Sequence, residues 1–104
     1  MIKIHQNSTP VGTLKYNLME KTFIFTYDKN FQGYPFGDIN ISNGRTHKLS
    51  EIPSMFDIDD SFSRDKLIES LNLSALSKQE ANWEILKNIA SRKSGFKGFN
   101  LEAA

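Results

Sequence analysis

Apolar and polar side chains alternate with a period of two through the first quarter of the chain, and with a period near 3.6 towards its end. Ile2 and Ile4 open the alternation, and His5-Gln6-Asn7-Ser8-Thr9-Pro10 interrupts it as a polar turn. Val11-Gly12-Thr13-Leu14-Lys15-Tyr16 resumes it, with Thr and Tyr suited to a pleated surface. Asn17 to Glu20 reads as a hairpin connection, because Asn tolerates left-handed backbone geometry. Thr22-Phe23-Ile24-Phe25-Thr26-Tyr27 then sets six β-formers in a row, with Phe23, Phe25 and Tyr27 on one face. Three antiparallel strands with short connections follow from this pattern.

The middle of the chain changes character. Gly33, Pro35 and Gly37 alternate with Phe31, Tyr34 and Phe36, the composition of an ordered loop held by its rings. Asp38-Ile39-Asn40-Ile41-Ser42 alternates like a half-buried strand, and Asn43-Gly44 closes it as a turn. Beyond this the pattern is helical. Pro53 suits a first helical turn. Asp59-Asp60-Ser61 supplies N-cap chemistry for a helix through Leu67, Ile68 and Leu71. Ser77-Lys78-Gln79-Glu80 matches a capping box, in which Ser77 accepts from the Glu80 amide and Glu80 reaches back. The helix it opens carries an apolar stripe of Ala81, Ile85, Leu86 and Ile89, with Trp83 and Ala90 at the edge and Glu84, Lys87 and Ser91 facing away. Arg92 and Lys93 complement its last turn, and Gly95 is the expected cap. Phe96 to Leu101 reads as one final strand, with Gly98 as a bulge. The expectation is an α+β fold in one domain over residues 1–104. A small antiparallel sheet of about five strands, from the first 42 residues and Phe96–Leu101, packs with two or three helices between Pro53 and Lys93.

Composition narrows function mainly by exclusion. Thirteen Lys+Arg against 12 Asp+Glu leave a net charge of +1, so no broad field attracts nucleic acid or an anionic membrane. The absence of cysteine excludes a disulfide scaffold and a Cys-ligated zinc site, and points to the cytoplasm. The polar-interrupted opening matches neither a signal segment nor a membrane span of about 18 residues. His5 on a strand and His47 in a loop lack a neighbouring Asp-Ser pattern for nucleophilic catalysis. Asp57, Asp59 and Asp60 crowd together, but a calcium loop counted from Asp57 meets Phe62 where glycine belongs and Ile68 where glutamate belongs. No Gly-Lys-Ser/Thr phosphate cradle and no kinase signature occurs, so no enzyme activity and no cofactor or metal is expected. Lys21, Phe23, Phe25 and Tyr27 give a faint nucleic-acid pattern, whose commoner meaning is a core strand.

The acidic turn holds the candidate contact residues. Phe56, Ile58 and Phe62 are spread among carboxylates and cannot all lie on one face of a helix. With Asp59, Asp60 and Arg64 they form the expected partner-binding surface, and Trp83 is an additional contact, since edge tryptophans are frequent interface anchors. The competing reading makes Phe56 and Phe62 anchors of the helices on the sheet.

Placed in order, these segments resemble the N-terminal subdomain of HipA-type serine/threonine kinase toxins. Val11-Gly12-Thr13-Leu14 matches the family's Val-Gly-x-Leu strand, and Phe23 to Asp28 its aromatic strand ending in Tyr. Ile39-Asn40-Ile41-Ser42 is similar to the fourth element without its proline. Phe56 to Ser61 with Arg64 keeps the spacing of the family's Leu-Leu-Pro-Asp-Gly loop but not its core, and Ser94 to Phe99 looks like a diverged glycine-containing strand. The sequence stops where the family's kinase core would begin. Free-standing pieces of this kind resemble the HipS family of three-component HipBST toxin–antitoxin modules. The resemblance implies a non-enzymatic, antitoxin-like regulator of a separate HipT-like kinase, in a complex that can include a DNA-binding HipB-like protein. It implies no direct contact with nucleic acid or membrane. Two alternatives stay open: an accessory subunit that completes or activates a split kinase, and a small nucleic-acid-binding domain.

Overall fold

In the computed structural model, residues 1–31, 45–53, 56, 61–93, 95–96 and 98–103 are described, apart from the side chains of residues 61–63 and 96. The alternating segments form strands β1 (Ile2–Gln6), β2 (Thr9–Asn17) and β3 (Thr22–Tyr27). Strand β4 (Thr46–Leu49), helices α1 (Ser61–Ser70) and α2 (Lys78–Ser91), and strands β5 (Gly95–Phe96) and β6 (Phe99–Ala103) follow. All six strands join one antiparallel sheet in the order β4-β3-β2-β1-β6-β5, with β5 only two residues long. Both helices belong to the C-terminal half, and the fold is α+β as expected.

Turn chemistry sets the first two hairpins. Asn7 and Ser8 have φ of 51° and 68°, the doubly left-handed pair of a two-residue hairpin turn whose twist matches the strands. The connection from β2 to β3 is fixed by Asn17, whose Oδ1 accepts from the amides of Met19 at 3.0 Å and Glu20 at 3.1 Å. Strand β2 carries a bulge. Ile4 of β1 faces Gly12 and His5 faces Pro10, which leaves Val11 as the extra residue. The bulge lets Val11 and Leu14 both reach the core although they lie three apart.

One face of the sheet is apolar. Leu14 lies in register between Ile2 and Phe25, and Phe23, Phe25 and Tyr27 point to the same side, all three rings buried. Helix α2 packs over β6 and β1 and adds Trp83, Leu86 and Ala90 to this core. Leu67 and Ile68 of helix α1, with Leu71 just past its end, pack on a smaller cluster of Leu73, Ala81 and Ile85. Helix α1 ends in a Schellman motif: Asn72 takes φ 57°, its amide donates to Glu69 O, and the Leu73 amide donates to Ile68 O at 2.8 Å. Ser77 caps α2 as expected, its hydroxyl accepting from the Glu80 amide at 3.3 Å. Ser77→Ala is expected to lower stability by about 1 kcal/mol, read from a urea unfolding midpoint.

Three expectations need correction. His47 lies on β4, held to β3 by the Phe25–His47 register, and not in a loop. The left-handed position after α2 is taken by Lys93 (φ 52°), because the helix ends at Ser91 before Gly95 is reached. The Phe96–Leu101 strand is a hairpin: Phe96 pairs with Phe99, and Gly98 (φ 87°) sits in the turn between β5 and β6, where glycine meets no steric penalty. The Phe56 amide donates to Pro53 O at 2.8 Å, and the described residues hold two α-helices, within the expected two or three. The strand expected at 38–42 lies outside the described residues.

Candidate contact surface

The acidic turn is divided by the structure. Phe56 is 1 % exposed and packs edge-on against Phe99, ring centroids 5.8 Å apart. It precedes α1 instead of belonging to it, so helical periodicity places no limit on its direction. A ring buried in this way is a core ring, and substituting it costs stability before it touches any interface. Trp83 is likewise core, 8 % exposed, with its ring 6.2 Å from Phe23 and 6.3 Å from Tyr16. Ile58, Asp59 and Asp60 lie outside the described residues, as does the side chain of Phe62, whose backbone is in the first turn of α1.

Arg64 is the remaining expected residue, and it is half-buried. Its Nη1 donates to Oδ1 of Asn82, a fully buried side chain on α2. Sequence reasoning missed Asn82, although a polar residue flanking the apolar stripe at Ala81 was the available signal. Among the described residues the Asn82 Nδ2 has no hydrogen-bond partner, and a buried donor left unpaired costs about 1–3 kcal/mol. Arg64 and Asn82 therefore make a polar link across the α1–α2 contact, and Arg64 is tied to structure on one side and open to solvent on the other.

Two exposed apolar side chains were also missed. Leu18 and Met19, 69 % and 95 % exposed, occupy the β2–β3 tip that Asn17 holds in shape. Two adjacent apolar residues in an expected turn were the signal. Beside this tip, burial and the nearby Glu80 carboxylate raise the Tyr16 phenol above its ordinary value of 10.0. The neutral phenol is thus the form the fold favours, and stability falls as pH rises beyond 10.

The face of the sheet away from α2 carries Lys3 and His5 of β1, Thr13 and Lys15 of β2, Ile24 and Thr26 of β3, and Thr46 and Lys48 of β4. Thr46, Thr26, Thr13, Lys3 and Glu102 follow one another across five strands in register. Lys48 is paired with Glu20 at 3.5 Å. Among the described residues this face offers no aromatic platform of the kind that stacks nucleobases, because Phe23, Phe25 and Tyr27 all turn into the core. Among the described residues no three His, Asp or Glu side chains gather to hold a metal ion. No helix among them is long and apolar enough to cross a membrane. Comparison with known proteins finds no family model that matches the chain and no curated protein similar to it.

Proposed function

We propose that the chain is a non-enzymatic, antitoxin-like protein of the cytoplasm that binds and restrains a separate HipA-type, HipT-like serine/threonine kinase. The reading rests on the resemblance of its segments to the family's N-terminal subdomain. One observation supports it above the others. The two segments that carry the resemblance best, Val11–Leu14 and Phe23–Asp28, lie side by side at the centre of the sheet. Gly12 faces Tyr27, and the Asp28 amide donates to Val11 O at 2.8 Å. The Val-Gly pair is thus the bulge itself, a feature with a structural reason to be where the pattern puts it.

A subdomain of this kind works by docking, and standard interfaces bury about 800 Å² per partner around a few anchors. Ile58, Asp59, Asp60, Phe62 and Arg64 are the proposed contacts, with the carboxylates complementing a basic phosphate-binding cleft. The test is the autophosphorylation of a HipA-type kinase core that lacks this subdomain, measured with and without the chain. A fall in rate is expected. Ile58→Ala or Phe62→Ala should relieve it, weakening binding by about 1–3 kcal/mol while folding is retained. A rise in rate would instead make the chain an activating subunit, and no binding would remove the reading altogether.

A further inference from the structure

The bulge at Val11 leaves a hollow of about 250 Å³ on the face of the sheet away from the helices, with the apolar Ile4 in its wall and Lys3, His5, Pro10, Gly12, Thr13 and Asp28 around it. Its hydrogen-bond donors are unspent. Among the described residues no hydrogen bond or ion pair engages the side chains of Lys3, His5 or Thr13. Asp28 is the carboxylate lining the hollow, and its Oδ1 accepts from the Asn30 amide at 2.9 Å. Its carbonyl oxygen accepts from Arg45 Nη1 at 2.7 Å, which brings a guanidinium to the same corner. Glu102 is the carboxylate in register with Lys3 on the neighbouring strand, and no ion pair joins the two.

From this arrangement we propose that the hollow binds a small oxyanion, inorganic phosphate or the phosphate of a monoester. Three donors of different type, an ammonium, an imidazole and a hydroxyl, are offered from two adjacent strands to one concavity. Hydrogen bonds from a cation to an anionic oxygen are roughly twice as strong as neutral ones, so Lys3 carries the largest share. The inference is independent of the kinase-binding reading, because it uses neither the acidic turn nor α1.

The test is a titration of the full chain with inorganic phosphate, followed by the amide signals of Lys3, His5 and Thr13 in two-dimensional NMR spectra. Saturable shifts confined to these strands are expected. Lys3→Met should weaken binding about tenfold, the loss of one charge-assisted hydrogen bond, and Thr13→Val should weaken it less. Glu102→Gln should tighten it by removing a competing carboxylate in register with Lys3. All three positions face outward, and unchanged signals from the core confirm that each variant is folded. A parallel titration with O-phosphoserine distinguishes the sources: tighter binding than phosphate assigns the hollow to a phosphorylated side chain, and equal or weaker binding to the free ion. Shifts reproduced by sodium chloride at matched ionic strength overturn the proposal. So does an affinity that neither Lys3→Met nor Thr13→Val alters.

Discussion

Gly12→Ala is expected to destabilise the protein by about 3 kcal/mol, at the upper end of the range for forcing extra atoms into a packed site. A Cβ at this position would stand 2.3 Å from the carbonyl oxygen of Thr26 and 3.1 Å from both the Thr26 carbonyl carbon and the Tyr27 Cα. Every one of these atoms is backbone, so no side chain can swing aside. Gly12 is also held from both directions, paired with Ile4 on one neighbour and Tyr27 on the other. Relief requires β2 and β3 to part at the centre of the sheet, where the Asp28–Val11 hydrogen bond closes the bulge. A urea unfolding curve with a lowered midpoint and unchanged slope is the predicted result. A loss below about 1 kcal/mol would show that the two strands separate there at little cost.

Phe25→Ala should cost about 3–5 kcal/mol, the range for emptying the site of a buried aromatic ring. Phe25 is fully buried, and its ring stands 4.9 Å from that of Tyr27 at an interplanar angle of 88°, an edge-to-face contact. Its neighbours in register, Leu14 and His47, belong to strands that cannot collapse inward without breaking their own pairing. For a chain of this size the melting temperature should fall by about 12 °C or more. Ile24→Ala is the natural control. Ile24 is the adjacent residue on the opposite face, half-buried between Lys15 and Lys48 in register, and its loss should be much smaller. Equal losses at the two positions would contradict the assignment of the core face.

What the sequence revealed and what it hid divide along the reach of the interactions involved. The three inward rings of β3, the cap at Ser77 and the stripe of α2 are local patterns, and each was legible from a few neighbouring residues. Strand β4 was not. Thr46-His47-Lys48-Leu49 has no persuasive strand pattern of its own, and its extended state comes from pairing with β3, about twenty residues earlier in the chain. In the β5–β6 segment a single glycine within a strand pattern has two meanings, a bulge or a turn, and only the left-handed φ of Gly98 separates them. The contact surface fared worst. Scattered apolar residues in an acidic turn suggested exposure, yet Phe56 leaves the tight turn after Pro53 in a direction that no periodicity specifies, and it ends beside Phe99. Asn82 was hidden by a different cause: whether a polar residue beside an apolar stripe is buried depends on the element opposite, here Arg64 of α1.

The position of β1 has a consequence for how the chain is made. β1 sits between β2 and β6, with Ile2 opposite Ala103, so one of its two edges is completed only by a strand made much later in the chain. The hairpins of β1, β2 and β3 contain all they need to pair as soon as they emerge. At about 5–20 residues per second, roughly 5–20 s separate the appearance of β1 from that of β6. During that interval the nascent chain presents the backbone of Ile2 to Gln6 as an unpaired strand edge, with the apolar face of Ile2 and Ile4 beside it. Codon changes that slow translation between β3 and β6 should increase aggregation even though they leave every residue of the finished protein unchanged.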